Sequence, residues 1–171
     1  DYLTIAFDGA WMDTTIDTTH CMWIKPHALS GFQVFYDSVT GDGLTAYANG
    51  SILTTSLDTS NTTATRSSAS GFLVNDSWTF IAMRSVQDGS NTDYYLDATT
   101  VGGSSVDNQT NKTGPSSGIS TTLGIGRRPS VDTAVLFNGE MQRVSWWSRF
   151  LSDAELDDLY NSGNGLGYGD L

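Results

Sequence analysis

Short segments in which apolar and polar residues alternate run through most of this 171-residue chain, and turn residues separate them. A period of two residues indicates β-strands that bury one side. The sequence predicts strands at 2–7, 20–25, 31–37, 43–49, 51–57, 64–68, 71–74, 78–86, 92–97, 121–127 and 137–147. Segment 102–120 is rich in Ser, Gly, Asn and Thr and is predicted to be a loop. Strands that follow one another without intervening helices predict an all-β sandwich of two antiparallel sheets.

One short helix is predicted near the C-terminus. Ser152 followed three residues later by Glu155 is a capping box, so the helix is expected to begin at Asp153. Glycines at 163 and 165 supply a left-handed stop. The apolar positions repeat at helical spacing and predict a face packed on the sandwich: Leu156, Leu159 and Tyr160.

The C-terminal string FNGEMQRVSWWSRFLSDAELDDLY resembles the terminal motif of laminin-G-like and pentraxin-like members of the concanavalin A-like lectin/glucanase superfamily, F-D-G-x-I-D-E-V-R-I-W-N-R-A-L-S-D-A-E-I-x-x-L-Y. Three upstream strings also resemble strands of this family: HCMWIKP at 20–26, WTFIA at 78–82 and DYYLD at 93–97. The resemblance implies a jelly roll in which Trp78 and Trp147 are packed. We expect a single domain over residues 1–171, which is long enough to bury a sizeable core.

Composition excludes several classes of function. The net charge is −11 and only eight residues are Lys or Arg, so binding to nucleic acid through phosphate contacts is not expected. No apolar run reaches the length of a membrane span, so no membrane insertion is expected. Cys21 is the only cysteine and lies in an apolar strand, which predicts an inert buried thiol. The first residue is Asp, as expected for a processed product or a segment of a longer chain.

Strand parity predicts a ligand-binding face. In three strands one side is mainly apolar and is predicted to be core: His20, Met22, Ile24, Phe32, Val34, Tyr36, Leu44, Ala46 and Ala48. The other side mixes rings with polar groups and is predicted to bind glycan: Trp23, Lys25, Gln33, Phe35, Tyr47 and Asn49, with Tyr95 and Asp97 from a later strand. Rings stack on sugar C–H faces and amides bond hydroxyls. A face covered by loops or by a neighbouring subunit would also explain this pattern.

No catalytic residue is predicted. Glycoside hydrolases of this fold carry a strand motif E-x-D-x-x-E, which the chain lacks; its only glutamates are Glu140 and Glu155. Asp93 and Asp97 share one side of a strand but would lie about 13 Å apart, against about 5–5.5 Å in retaining and 6.5–9.5 Å in inverting enzymes. The pattern G-x-S-x-G at 114–118 lies in a Ser/Gly-rich loop, without the strand and helix of a nucleophile elbow.

Calcium is the one cofactor that the resemblance implies. Many relatives bind a structural Ca²⁺ through the Asp of I-D-E-V, where this chain has Gln142, which offers one neutral oxygen. Asp8 and Asn138 are further oxygen donors that the family fold is expected to place nearby.

The leading functional prediction is a non-catalytic, extracellular or particle-surface lectin-like module that binds a glycan or cell-surface polysaccharide. The terminal string YNSGNGLGYGDL resembles the ends of phage and bacterial surface proteins. The alternative is therefore a structural or adhesion subunit, such as a phage fibre, a capsid-decoration domain or part of an extracellular assembly, whose partners are copies of itself or virion proteins. A polysaccharide hydrolase or lyase is the third prediction.

Overall fold

A computed structural model describes residues 3–6, 16–38, 43–58, 63–89, 91–101, 103–113, 122–129 and 135–165. The strands are β1 (Leu3–Ala6), β2 (Thr18–Pro26), β3 (Phe32–Ser38), β4 (Gly43–Asn49), β5 (Ile52–Asp58), β6 (Thr63–Ser67), β7 (Thr79–Asp88), β8 (Asn91–Thr100), β9 (Ser105–Thr113), β10 (Thr122–Ile125) and β11 (Gly139–Trp147). Helix α1 (Asp153–Tyr160) follows and ends in a 3₁₀ turn at Asn161–Gly163.

The strands form two sheets, and every neighbouring pair is antiparallel. One sheet has six strands in the order β1-β10-β3-β4-β5-β6, and the other has five in the order β11-β2-β7-β8-β9. The prediction of an all-β, two-sheet antiparallel sandwich with one short C-terminal helix is confirmed.

The hydrophobic core lies between the two sheets. Both sheets contribute fully buried side chains to it, among them Met22, Ile24, Ile81, Met83, Leu96, Tyr36, Leu44, Leu53 and Leu57. Each such burial contributes roughly 1.5–3 kcal/mol. His20 and Tyr36 join the sheets through a 2.8 Å hydrogen bond between Nδ1 and the hydroxyl oxygen. Burial lowers the pKa of His20 to about 4, so this bond is built on a neutral imidazole.

Helix α1 covers the outer face of the five-stranded sheet. The capping box is present: the Glu155 N–H donates to Ser152 Oγ at 3.3 Å, and the Ser152 N–H donates to Glu155 Oε2 at 2.8 Å. The helix begins at Asp153 as predicted. A second hydrophobic cluster fills the space beneath it: Cys21, Trp23, Phe80, Ala82, Leu151 and Leu156, with Trp78, Trp147, Leu159 and Tyr160 packed against it. The predicted packing of Trp78 and Trp147 is confirmed.

One loop prediction and one strand prediction are wrong. The predicted loop 102–120 contains β9, a polar segment that pairs along its length with β8. Backbone hydrogen bonds to a neighbouring strand hold such a segment in place without an apolar pattern. The predicted strand 71–74 is a loop instead, and Phe72 and Leu73 enter the core from it. The apolar residues of segment 71–74 do indicate burial, but a loop can bury side chains as well as a strand can.

A β-bulge in β3 reverses the predicted parity of residues 32–35, whereas Tyr36 lies in the core as predicted. The pairing with β4 shifts between Val34 and Tyr36, because Phe35 is an extra residue there. Phe35 and Tyr36 therefore both belong to the core cluster. The two residues before the bulge that were predicted to be core, Phe32 and Val34, pair with Asn49 and Tyr47 and share their outer side of the sheet.

Candidate functional site

The eight predicted ligand-binding residues do not form one surface. Half lie on the five-stranded sheet and half on the six-stranded sheet: Trp23, Lys25, Tyr95 and Asp97 on the first, and Gln33, Phe35, Tyr47 and Asn49 on the second. Trp23 is only 2% exposed and stacks on Tyr160 of the helix, with ring centroids 5.6 Å apart at an angle of 11°. The prediction that Trp23, Phe35 and Tyr47 share one exposed face is wrong.

Phe35 and Gln33 are buried on the core side of β3. Phe35 packs edge-on against Phe137, with centroids 4.9 Å apart. The Gln33 amide is used on both sides: Nε2 donates to the Ala28 carbonyl, and Oε1 accepts from the Asn138 N–H at 2.9 Å. Gln33 therefore ties two loops to the sheet, and its amide is engaged within the protein.

On the five-stranded sheet, Asp97 belongs to an ion-pair network that anchors the helix. Arg84 is 3% exposed in its side chain; its Nε contacts Asp97 and its Nη1 contacts Asp153, each at 2.8 Å. Nη1 also donates to the Leu151 carbonyl at 2.8 Å. Burial raises the pKa of Asp97, and the hydrogen bond and charge of Arg84 oppose that effect. Burial would lower the pKa of Arg84, but its hydrogen bonds and charge interactions with the two carboxylates raise it.

Tyr95 and Lys25 have structural partners on the same sheet. Tyr95 packs edge-on against Phe150, with centroids 5.2 Å apart, and lies 5.4 Å from the Arg84 guanidinium. Lys25 pairs with Glu140 at 2.5 Å, and its ammonium group lies 5.4 Å from the Trp78 ring centroid.

A small cavity of about 220 Å³ lies between helix α1 and strands β8 and β9. Its apolar wall includes Phe80, Leu156 and Tyr160, and four carboxylates line the remainder: Asp97, Asp107, Asp153 and Asp157. In the part of the chain that the structure describes, these and the other acidic, His and Cys side chains form no group of three that could hold a metal ion. Two of the four carboxylates are already paired with Arg84.

The outer face of the six-stranded sheet carries a different arrangement, which we call the sheet-face patch. It consists of Phe32, Asp37, Thr45, Tyr47, Asn49 and Arg128. The rings of Phe32 and Tyr47 lie 4.5 Å apart at an angle of 39°. The Arg128 guanidinium carbon lies 5.8 Å from the Phe32 centroid. Phe32 is 37% exposed, so the middle of this row of planar groups is open to a ligand.

A folded-back loop brings Arg128 to the patch. Gly126 has φ = 75°, its N–H donates to the Phe35 carbonyl at 2.7 Å, and its carbonyl accepts from the Phe137 N–H at 2.9 Å. A Cβ at Gly124 would lie 2.5 Å from both the Arg127 carbonyl oxygen and Pro129 Cδ. Position 124 must therefore be glycine if the loop is to cross the outer side of β10.

The charges of the patch are paired and fixed. Arg128 Nε donates to Asp37 Oδ2 at 3.0 Å, and Thr45 Oγ1 donates to Asp37 Oδ1 at 2.7 Å. Asp37 is 3% exposed, whereas the Arg128 side chain is 36% exposed. The two Nη groups of Arg128 donate to no acceptor among the described residues. The arrangement offers the exposed parts of two packed rings and fixed N–H donors beside them.

Sequence reasoning missed Phe32 and Arg128 as members of this surface. The available signal for Phe32 was the run Val34-Phe35-Tyr36, in which three apolar or aromatic residues interrupt the alternation and indicate a bulge. For Arg128, the flanking Gly126 and Pro129 indicate a turn, but only the structure shows that this turn folds back over the sheet. Tyr47 and Asn49 were predicted and do lie on the patch.

The predicted calcium ligands are only partly within the described residues. Asp8 lies outside them. The Asn138 backbone carbonyl accepts a hydrogen bond from the His27 N–H at 2.9 Å. Asn138 and Gln142 are both exposed. The calcium site therefore stays a prediction.

The comparison with protein families agrees with the fold. The laminin-G-type family model of the concanavalin A-like lectin/glucanases superfamily matches residues 1–157. The chain therefore belongs to this superfamily. No curated protein sequence matches it at a significant level.

Several solved structures share the fold at low identity. The binding domain of botulinum neurotoxin serotype D has a TM-score of 0.65 at 12% identity, over 95% of this chain and 40% of that chain. The binding domain of botulinum neurotoxin DC in complex with SialylT has a TM-score of 0.62 at 15% identity, over 94% and 39%. The LG1-3 region of the laminin alpha2 chain has a TM-score of 0.59 at 12% identity, over 89% and 31%. At these identities the likeness shows the fold alone, and this chain spans two fifths or less of those chains.

Proposed function

We propose that this domain is a non-catalytic glycan-binding module and that the sheet-face patch is its binding site. The observation that carries the proposal is the row Arg128, Phe32 and Tyr47, which crosses neighbouring strands at spacings of 5.8 and 4.5 Å. An oligosaccharide lying across the strands would place its C–H groups against the exposed parts of this packed ring pair and its hydroxyls beside Arg128 and Asn49.

The structural neighbours support the ligand class. One is the binding domain of botulinum neurotoxin DC in complex with SialylT, and another is from botulinum neurotoxin type C, whose cell entry depends upon interaction with two ganglioside molecules. Because the matched region is about 40% of those chains, they support a glycan in general and no particular sugar. We place the domain outside the cell or on the surface of a cell or virion. No helix in the described residues is long and apolar enough to span a membrane.

Glycan binding by the isolated domain, with Phe32→Ala as the variant, tests the proposal. Removing an aromatic side chain at a binding hot spot commonly costs about 2 kcal/mol, so we expect an affinity loss of about 30-fold. Leu136→Ala is the matched control, because Leu136 is an exposed apolar residue outside the patch. Equal affinities of Phe32→Ala and the wild type would contradict the assignment of the site.

The proposal includes no catalysis. The glutamate motif of the hydrolases is absent from the sequence, and Asp97 is held by Arg84. Incubation with β-glucans, alginate, agar and carrageenan is expected to release no oligosaccharides. Reproducible release that is lost on substitution of an aspartate would show that the domain is an enzyme.

A structural or adhesion role is the second candidate. Strand β1 is the last strand of the six-stranded sheet in the described order, and its Leu3 is 51% exposed. An edge strand with an exposed apolar side chain is a surface on which a neighbouring copy can add a strand. Analytical ultracentrifugation distinguishes the two roles: a stable oligomer that does not bind glycan would favour the structural one.

Calcium binding is a further proposal, for a site that includes Asp8, Asn138 and Gln142. Saturation at about 100 times the dissociation constant would add about 2.7 kcal/mol to the free energy of unfolding. Thermal unfolding in millimolar Ca²⁺ and in chelator measures this, and identical midpoints would exclude a structural ion.

A further inference from the structure

We propose that the sheet-face patch selects uncharged sugars over acidic ones, and that Asp37 is the residue that sets this selectivity. The inference rests on the proposed function, since it names the class of glycan that the same site would bind. It follows from the way in which the cation of the patch is already paired within the protein.

Arg128 without a partner would favour acidic sugars. A guanidinium group binds a carboxylate through two parallel N–H···O bonds, which is the strongest contact that an arginine makes to an anionic ligand. In this structure Arg128 Nε is already bonded to Asp37 Oδ2 at 3.0 Å. The carboxylate of Asp37 cancels the charge that would attract an acidic sugar.

A ligand cannot easily displace Asp37. Asp37 is 3% exposed, and its second carboxylate oxygen accepts a hydrogen bond from Thr45 Oγ1 at 2.7 Å. Asp37 also pairs with Gly124 in the sheet, and the loop 127–129 crosses the outer side of that glycine. A sugar carboxylate bound to the free edge of Arg128 would lie near this fixed carboxylate, and like charges at such distances repel.

The remaining chemistry of the patch suits neutral acceptors. The Nη groups of Arg128 keep their donor capacity, and hydroxyl and ring oxygens accept such bonds without carrying charge. The protein as a whole has a net charge of −11, which disfavours the approach of a polyanion at low salt. Local pairing and overall charge therefore act in the same direction.

The test compares wild type and Asp37→Asn on an array of neutral oligosaccharides, each printed beside its sialylated or uronic-acid counterpart. Wild type should bind the neutral member of a pair at least about tenfold more tightly. Its affinity for that member should not change between low and high NaCl, because only charge–charge attraction is screened. Asp37→Asn frees the charge of Arg128, so the ratio of acidic to neutral binding should rise about tenfold or more and should fall again with added salt.

Two further variants identify the cause. Asp107→Asn removes one negative charge on β9, outside the patch, and should leave the ratio at its wild-type value. The double variant Asp37→Asn with Arg128→Gln should lose the gain, because the cation released by the first change is removed by the second. A gain that persists in the double variant, or that Asp107→Asn reproduces, would overturn the role of the pair.

The wild type alone keeps the inference testable if Asp37→Asn does not fold. Preference for the acidic members, or an affinity for glycan that falls steeply with salt, would overturn the inference and leave the proposed function standing. Absence of binding to every glycan would overturn both. A neutral preference that persists at high salt, where the overall charge is screened, supports the inference without any variant.

Discussion

The two outer faces of this sandwich show how differently one fold can use its surfaces. The outer face of the five-stranded sheet carries large rings such as Trp23 and Phe80, and helix α1 covers it. The outer face of the six-stranded sheet carries mostly short hydroxyl side chains, with the Phe32 and Tyr47 rings above them. A high content of aromatic residues therefore marks the covered face, while the candidate binding face has few rings.

The difference arises from what crosses each face. On the five-stranded sheet, the buried Arg84 pairs with Asp97 of the sheet and Asp153 of the helix, so the helix is held by charge as well as by packing. On the six-stranded sheet the short loop 126–129 is the part of the described chain that crosses the outer side of β10, where Gly124 leaves room for it. Helix α1 closes its face, whereas Phe32 and Asn49 remain exposed on the other face.

The largest expected effect is a loss of stability when the packing beneath helix α1 is disrupted. Trp23→Ala removes a ring that is 2% exposed and stacked on Tyr160, and substitutions of this kind cost about 3–5 kcal/mol. Urea denaturation measures the loss of the free energy of unfolding. Glycan affinity per folded molecule should not change, because Trp23 lies on the other sheet.

Phe32→Ala is the matched comparison, since it removes a ring from the open face. It should cost much less stability than Trp23→Ala and should reduce glycan binding instead. If both variants lost stability to the same extent, the distinction between a covered and an open face would be wrong.

The misplacement of Trp23 shows what sequence could predict here. The C-terminal motif and the capping box identified the superfamily, the sandwich and the helix that begins at Asp153, because these features are local or carried by the family resemblance. The candidate site depended on non-local facts. Parity within β2 was right, since Trp23 and Met22 do face opposite sides, but sequence did not show that α1 covers the Trp23 side.

The error in β3 has another physical origin. One bulged residue, Phe35, moved Phe32 from the predicted core to the surface, because a shift of one residue exchanges the two sides of a strand. The partner of Asp37 was also out of reach of sequence, since Arg128 is 91 residues further along the chain.

The next largest effect concerns the bond between the two sheets, beneath both faces. Burial lowers the pKa of His20 to about 4 from its ordinary value of 6.5. Below pH 6.5 the His20 imidazole binds a proton in the unfolded chain, whereas in the folded protein it does so only near pH 4. Stability is therefore lost as the pH falls through this window and is retained above it. The shift corresponds to a loss on the order of 3 kcal/mol.

Urea denaturation at pH 7, 5.5 and 4 measures this loss. His20→Gln should be less stable at pH 7 but should lose less on acidification than the wild type. His27→Gln is the control, because it removes the exposed histidine and keeps the buried one. An equal acid loss in wild type and His20→Gln would show that other groups, and not the bond to Tyr36, set the acid limit.

The smallest expected effect tests how far helix α1, which covers the five-stranded sheet, depends on its N-cap residue Ser152. Ser152→Ala removes the hydroxyl that accepts from the Glu155 N–H at 3.3 Å, and the loss of such a cap costs about 1 kcal/mol. The hydrogen bonds from Arg149 and from the Ser152 backbone hold the pKa of Glu155 at about 2, so its carboxylate remains charged and keeps part of the capping box.

Ser148→Ala is the control, since Ser148 is exposed and lies outside the helix. Hydrogen exchange should show faster opening of residues 153–160 in Ser152→Ala and unchanged protection of β3 and β4. Faster exchange of those two strands as well would mean that the cap stabilises the whole sandwich and that the covered and open faces do not open independently.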